Sequence, residues 1–592
     1  MNRRPLIAIA VATSAALVLA ACSSSKGGGK GSGTNPPQSG SSAPSSSSNL
    51  GDAVINGGYN QKGGTVNVLV QADFEHLDPA QNYVTNSGDV GRLIYRTLTF
   101  IKDTPGQEPE IKPDLAAGPA TSNADKSVWT WKLRKGLKYE DGTPITAKDI
   151  KYGIERSFAS DLYKDGATYM PDTLKVPRDS EGAPTYKGPY KDPTKDLTAV
   201  QTPDDNTITL NFAGPQPDAD WMMSLFYSAP VPKAKDTKQD YDLHPVSSGA
   251  YKIQTYTKGR QLTLVRNTNW DAASDPNRPA LPDKFVFQMG IAPATVSQRL
   301  IANQGADQSA MSIDNSSDIQ AGDIAKLRQA SVKSRFVNGA TPCVFYDFFN
   351  TQTIKDADVR HAIALAINRQ AVITAMNGPL FGSTPDNYFS TSTRGYAAAD
   401  LGLKPTGDTA AAQALLQGKT GYPKTLTYAV SAGRPVQHAV GVQVQSDLKK
   451  IGITVNLKSI PTDSFYKTLR AVPAQADMGL AGWCYDWPTL GSIVPPVLGP
   501  DSSGKSWNTN NFSRWIDPTI SPEVAKLASS TASPADVDKQ FIEISNKVLT
   551  TQWPLLPLQA SLNPAVVGSK IHNAGISSIY ALPDLNTIGV EP

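Results

Sequence analysis

Between residues 482 and 487 the chain reads Gly482-Trp483-Cys484-Tyr485-Asp486-Trp487, directly after the apolar run Met478-Gly479-Leu480-Ala481. Two indoles, a phenol, a thiol and a carboxylate share this short window. Aromatic rings can wall a pocket and a lone acid can fix a cation. Sites for small solutes combine apolar walls with a few placed charges. The stretch therefore reads as the floor of a site for a small, amine-bearing ligand. Aromatic residues are also ordinary core material, so a buried strand end is the competing reading, and the rest of the chain has to decide.

Catalytic chemistry finds little support. The histidines at 76, 244, 361, 438 and 572 are scattered, with no His-Glu-x-x-His spacing, so no metal site is expected. Ser464-Phe465-Tyr466-Lys467 imitates a Ser-x-x-Lys nucleophile, but Lys419-Thr420-Gly421 precedes it, whereas in acyl-serine enzymes that element follows. No Gly-rich phosphate loop follows a strand. The expectation is a non-enzyme without a cofactor. A net charge of +3 over 592 residues argues against a nucleic-acid partner.

The N-terminus is more specific. Arg3 and Arg4 precede an apolar run from Leu6 to Leu19, which is too short to span a bilayer and ends in Leu19-Ala20-Ala21-Cys22. This is the pattern of an export signal over 1–21, and Leu-Ala-Ala-Cys resembles the bacterial lipoprotein box, which implies acylation of Cys22. Residues 22–60 are dominated by Ser, Gly, Pro and Asn and are expected to act as a flexible tether. Acyl chains contribute about 0.8 kcal/mol per buried methylene, so several on one cysteine would hold the protein at a membrane face. The other two cysteines, Cys343 and Cys484, form an even pair in an oxidising compartment, either as a disulfide or as two separate buried thiols.

The elements that must position the aromatic stretch follow from patterning. A chain of this length suggests two to four domains. Val66–Val70 reads as a strand and Leu77-Asp78-Pro79-Ala80 as a turn, with a short helix over 89–98. Trp129, Trp131 and Leu133 alternate with polar residues as in a half-buried strand, and Thr146 with Asp149 signals a helix N-terminus. Residues 161–196 show no period and read as a surface excursion. Further strands are expected at 207–212, 251–253, 262–267 and 285–288. Asp356 starts a helix with Val359, Ile363, Ile367 and Val372 on one face. Helices over 435–451 and 535–549, with a strand at 453–457 between them, complete a mixed α/β order.

Together these landmarks resemble the family-5 extracytoplasmic solute-binding proteins, the oligopeptide- and dipeptide-binding components of ABC importers. The motifs are Trp129-Thr130-Trp131-Lys132-Leu133-Arg134 through Asp141-Gly142-Thr143-Pro144, Ser248-Gly249-Ala250-Tyr251, Asn350 with Asp358-Val359-Arg360-His361-Ala362-Ile363 to Asn368-Arg369, and Gly482-Trp483-Cys484-Tyr485-Asp486. The resemblance implies an α/β, two-lobed periplasmic-binding-protein-like clamp (type II, cluster C) with an accessory domain. Lobe I would comprise 61–100, 242–342 and 556–592, the accessory domain 101–241, and lobe II 343–555. It implies a monomeric receptor, tethered outside the cell through Cys22, that captures peptides and presents them to a cognate ABC permease. A non-peptide solute (an oligosaccharide, opine or metal chelate) and a peptide-sensing role are the alternatives on the same scaffold.

By the same resemblance, Asp486 pairs with a ligand α-ammonium, a contact contributing about 1.5–3 kcal/mol. Trp483, Tyr485 and Tyr346 line the pocket, and Tyr83, Val84 and Thr85 pair with peptide backbone like an added strand. Cys343 and Cys484 stand where the oligopeptide-binding protein has its disulfide. The chain also departs from that pattern. Leu480 stands where that protein has an arginine, and only Thr462 or Asp463 stands where it has an upstream pocket tryptophan. Arg394, Arg434 and Arg470 are the unplaced candidates for receiving a ligand carboxylate.

Overall fold

A computed structural model describes residues 54–592 except 106, 181, 315–318 and 502–504. The expected leader, Cys22 and residues 22–53 of the expected tether 22–60 lie outside the described residues; its last part is packed rather than free, with Val54–Ile55 paired to Ala574–Gly575 and Tyr59 stacked on His572.

Three sheets carry the architecture. In the first, five strands are ordered Ala310–Ser312, Thr65–Leu69, Lys284–Gln288, Gln261–Arg266 and Tyr251–Thr257. Thr65–Leu69 runs parallel to both neighbours, with Val66 opposite Phe285 and Val68 opposite Phe287, all fully buried. Ser248-Gly249 precedes this sheet's edge strand at a point of close approach. A Cβ on Gly249 would sit 2.5 Å from the Leu93 carbonyl oxygen, so only glycine fits there.

The second sheet is antiparallel, ordered Thr121–Ser122, Val128–Lys132, Thr207–Asn211 and Val200–Asp204. Trp129 and Trp131 fall on its buried face, as period-2 alternation requires, and Trp131 Nε1 donates to Asp220 at 2.9 Å. The helix Ala147–Arg156 belongs to the same core through Ile150 and Ile154. Its start is fixed by the Asp149 carboxylate, which accepts the Thr146 N–H at 2.8 Å.

The third sheet has six strands, ordered Gly382–Ser383, Leu555–Val566, Phe336–Phe349, Met478–Cys484, Thr425–Ser431 and Thr454–Ile460. Its parallel pair Thr425–Ser431 and Thr454–Ile460 is joined by the helix Pro435–Lys449, and Gly452 (φ +77°) turns the chain back. Residue 343 falls inside Phe336–Phe349, and residues 555–556 begin the strand paired with it.

The single helical face anticipated after Asp356 is two helices, Ala357–Ala366 and Arg369–Ala375. The Asn368 side chain accepts the Ala371 N–H at 2.9 Å and caps the second, which breaks the run although its apolar spacing continues. Arg360 donates to the carbonyls of Ile354, Lys355, Gln552 and Trp553, tying the first helix to the end of the helix Pro534–Thr551.

Buried ion pairs join the segments around the first two sheets. Arg96 and Arg278 share Asp114 at 2.7 and 2.8 Å, and Arg278 also meets Asp275 at 3.1 Å. Arg156 holds Asp78 in a two-pronged pair, both contacts 2.6 Å, with neither side chain exposed. Asp78 in turn accepts the Ala80 N–H, and its carbonyl accepts from Gln81 and Asn82. The turn before residues 83–85 is therefore anchored by an internal salt bridge.

Candidate functional site

The strand Met478–Cys484 delivers the aromatic stretch to the end of the third sheet. It pairs antiparallel with Phe336–Phe349 so that Cys343 lies opposite Cys484, and the two form a disulfide. Beyond the bridge the chain leaves the sheet as a loop held on several sides. Trp483 Nε1 donates to the Ser492 carbonyl at 3.0 Å, and Ser492 Oγ to the Trp487 carbonyl at 2.7 Å. Asp218, from the segment after the second sheet, accepts from Trp487 Nε1 at 2.9 Å and from Thr489 Oγ1 at 2.6 Å. Asp538 accepts the Leu490 N–H at 3.1 Å.

Asp486 sits at the centre of this loop, half-buried, and its partners come from distant parts of the chain. The Tyr83 hydroxyl donates to both carboxylate oxygens, at 2.9 and 2.8 Å, across 403 residues of sequence. The Tyr169 hydroxyl donates to Oδ2, from a short helix, Tyr169–Thr173, inside the region read as a surface excursion. The Tyr169 ring lies 5.0 Å from Trp487. Burial pushes the Asp486 carboxyl above its usual range, and the two hydroxyl bonds pull it partway back. Burial and then the Asp486 charge push both phenols upward, so they remain donors. Among the described residues no lysine, arginine or histidine pairs with this carboxylate. Among the described residues Asp486 has two neutral donors, and its remaining lone pairs suit a cation.

The other expected site residues are placed differently. Val84 is the N-cap of the helix Thr85–Ile94, exposed beside Tyr83, with Thr85 half-buried behind it. Trp483 is half-buried next to the disulfide. Tyr485 is buried, its hydroxyl bonded to Ser392 Oγ at 2.6 Å and the Ser578 carbonyl at 3.0 Å. Tyr346 is 1 % exposed within the core of the third sheet. Tyr169 is the residue sequence reasoning missed: it lies in an aperiodic stretch, and nothing in its neighbours marks it.

The three arginines are not equivalent. Arg394 is committed to Asp538 at 2.6 Å and lines a cavity of about 200 Å³ with Tyr169, Trp487 and Asp218. Arg470 lies against Tyr466 and Phe512 and donates to Asn510 at 2.8 Å. Arg434 is exposed at the N-cap of the helix Pro435–Lys449. A second cavity, about 410 Å³, is lined by Asp103, Glu108, Asn338, Ser392 and Ser578. Neither cavity is lined by Asp486.

Asp486 thus gathers its two hydroxyl partners from segments far apart in the chain. Comparison with known proteins gives the class directly. Residues 110–505 match the model of the bacterial extracellular solute-binding proteins, family 5, and the chain belongs to that family. Its members are substrate-binding transport proteins. It is 24% identical over 473 residues to the periplasmic oligopeptide-binding protein OppA of Escherichia coli (strain K12), covering 77% of this chain and 80% of the relative. Among solved structures it resembles the clavulanic acid biosynthesis oligopeptide binding protein 2, at 27% identity and a TM-score of 0.78, over 91% of this chain and 97% of the other. The periplasmic binding protein DppA of Helicobacter pylori, solved with the peptide STSA, shares the fold at 20% identity and a TM-score of 0.65, over 90% and 99% of the two chains. The fold is thus the two-lobed one of periplasmic peptide-binding proteins.

Proposed function

We propose that this protein captures extracellular peptides by their free N-terminus and delivers them to an ABC importer. The observation that carries this reading is Asp486, an acid bonded, among the described residues, to the hydroxyls of Tyr83 and Tyr169 and to no basic side chain. An α-ammonium has three donors and a full charge, so it can replace or join the two hydroxyls and neutralise the carboxylate. The relatives' names support a peptide as the solute. The Ser392, Ser578 and Asn338 side chains along the larger cavity offer neutral polar groups of the kind that meet a peptide backbone.

In this reading lobe I (61–100, 242–342 and 556–592) and the accessory domain (101–241) bring Tyr83 and Tyr169, and lobe II (343–555) brings Asp486. Closure of two such lobes around a ligand gives the importer a distinct form to recognise. The leader pattern at 1–21 and Cys22 support a lipid tether at the outer face of the membrane, with the receptor acting as a monomer. No helix among the described residues is long and apolar enough to cross a membrane.

The reading is tested by replacing Asp486 with asparagine and measuring affinity for a short free-amine peptide by calorimetry. Loss of a charge-assisted contact predicts binding weakened by about 10–150-fold, equivalent to about 1.5–3 kcal/mol. Unchanged affinity would remove Asp486 from the site.

A further inference from the structure

Away from Asp486, the loop before the helix Thr85–Ile94 and the segment before Tyr169 converge on one point. Glu75, His76 and Asp165 place an imidazole and two carboxylates together, their donor atoms within 4.8 Å of one another. His76 is held from behind. Its Nδ1 lies 2.9 Å from Asp242 Oδ2, and the other oxygen of Asp242 accepts the N–H groups of Leu77 and Asp78 at 2.6 and 2.7 Å. Gln81 Nε2 approaches the same ring nitrogen less closely, at 3.3 Å. The shorter contact, to a carboxylate that can only accept, puts the proton on Nδ1 and leaves Nε2 facing outward.

Nε2 faces Asp165 Oδ2 at 3.3 Å. With the proton on Nδ1, Nε2 can present its lone pair to a cation shared with Asp165 Oδ2. Ligation by a metal suits the separation: bonds of about 2.0–2.2 Å in a tetrahedron put neighbouring donors about 3.4 Å apart, close to the 3.3 Å found. Glu75 is exposed, so its carboxylate is free to swing into the third position. Among the described residues no lysine or arginine forms an ion pair with Glu75, Asp165 or Asp242, so the cluster's negative charge is not offset by a basic side chain. The carboxylate-to-imidazole support from Asp242 is the arrangement that orients metal-bound histidines.

We propose that Glu75, His76 and Asp165 form a binding site for a divalent transition-metal cation, of which zinc is the probe, with Asp242 positioning the imidazole. The imidazole ligand disfavours calcium and magnesium, which take all-oxygen sets. The site joins two segments that bring Tyr83 and Tyr169 to Asp486, yet the argument for it does not depend on which solute is bound there.

The test is calorimetric titration of zinc chloride into the purified, untagged protein, compared with His76→Gln, Asp165→Asn and Glu75→Gln, with calcium added as competitor. The expected result is one zinc per chain, affinity reduced by about tenfold or more in each variant, and no displacement by calcium. The melting temperature of each variant without zinc controls for folding; should His76→Gln fail that control, the two exposed-residue variants carry the comparison. Absence of zinc binding, or affinity unchanged in the variants that fold, would overturn the proposal.

Discussion

Replacing Arg156 by methionine is expected to lower the unfolding free energy by about 3–5 kcal/mol, the usual consequence of leaving one partner of a buried ion pair behind. The guanidinium bonds both oxygens of Asp78, lies over the rings of Tyr163 and Tyr241, and bonds the hydroxyls of Tyr163 and Tyr190. No water reaches Asp78 to replace those bonds, since its side chain is fully buried. Burial already pushes the Asp78 carboxyl above its ordinary range. In the variant it can relieve the stranded charge by taking up a proton, so the loss should shrink as the pH falls. The double variant Asp78→Asn, Arg156→Met should recover part of the loss. Chemical denaturation at neutral and acid pH measures all three effects, and a loss independent of pH would argue against the stranded charge as its source.

The second large effect concerns Asp347, buried in the third sheet. One of its oxygens accepts the Tyr428 hydroxyl at 2.5 Å and the other has no partner. Burial pushes its carboxyl up to about 7, against an ordinary 3.8, with the tyrosine bond pulling the other way. The folded state therefore holds a proton that the unfolded state has released between about pH 4 and pH 7. Where the folded state binds more protons, stability falls as pH rises. The contribution is fully present below about pH 4 and lost by about pH 7, and a shift of about 3 pH units corresponds to about 4 kcal/mol. Asp347→Asn removes this decline. The amide keeps an acceptor for Tyr428 but adds two donors in a dry site, so the change in slope is the cleaner readout. The difference between the stability profiles of the two proteins should change by up to about 4 kcal/mol between pH 4 and pH 7 and stay level above that, whatever constant offset the amide adds. Parallel profiles would show that the carboxyl titrates alike in the folded and unfolded chains.

What could be read in the sequence and what could not divide along physical lines. The helices Pro435–Lys449 and Pro534–Thr551 and the Trp129-Thr130-Trp131 strand announce themselves through periodicity, because the burial that shapes them is local. The break at Ile367-Asn368 does not, since apolar spacing continues across it while the Asn368 side chain ends the backbone ladder. Asp486 stood out because its aromatic neighbours are adjacent in sequence. Its hydrogen-bond partners are 403 and 317 residues away, and no window of sequence holds such a contact. Tyr346 lies buried within its strand, and alternation assigns residues to the two faces of a strand without saying which face meets a cleft. Glu75, His76 and Asp165 carry no motif spacing at all, because two separate loops supply them.

The central claim is that Asp486 awaits a peptide's positively charged end. It is tested most directly by titrating the unmodified protein with one short peptide in two forms, with a free N-terminus and with that terminus acetylated. The account predicts that acetylation, which removes the charge and two of the three donors, weakens binding by about 1.5–3 kcal/mol. Equal affinity for the two forms would contradict it.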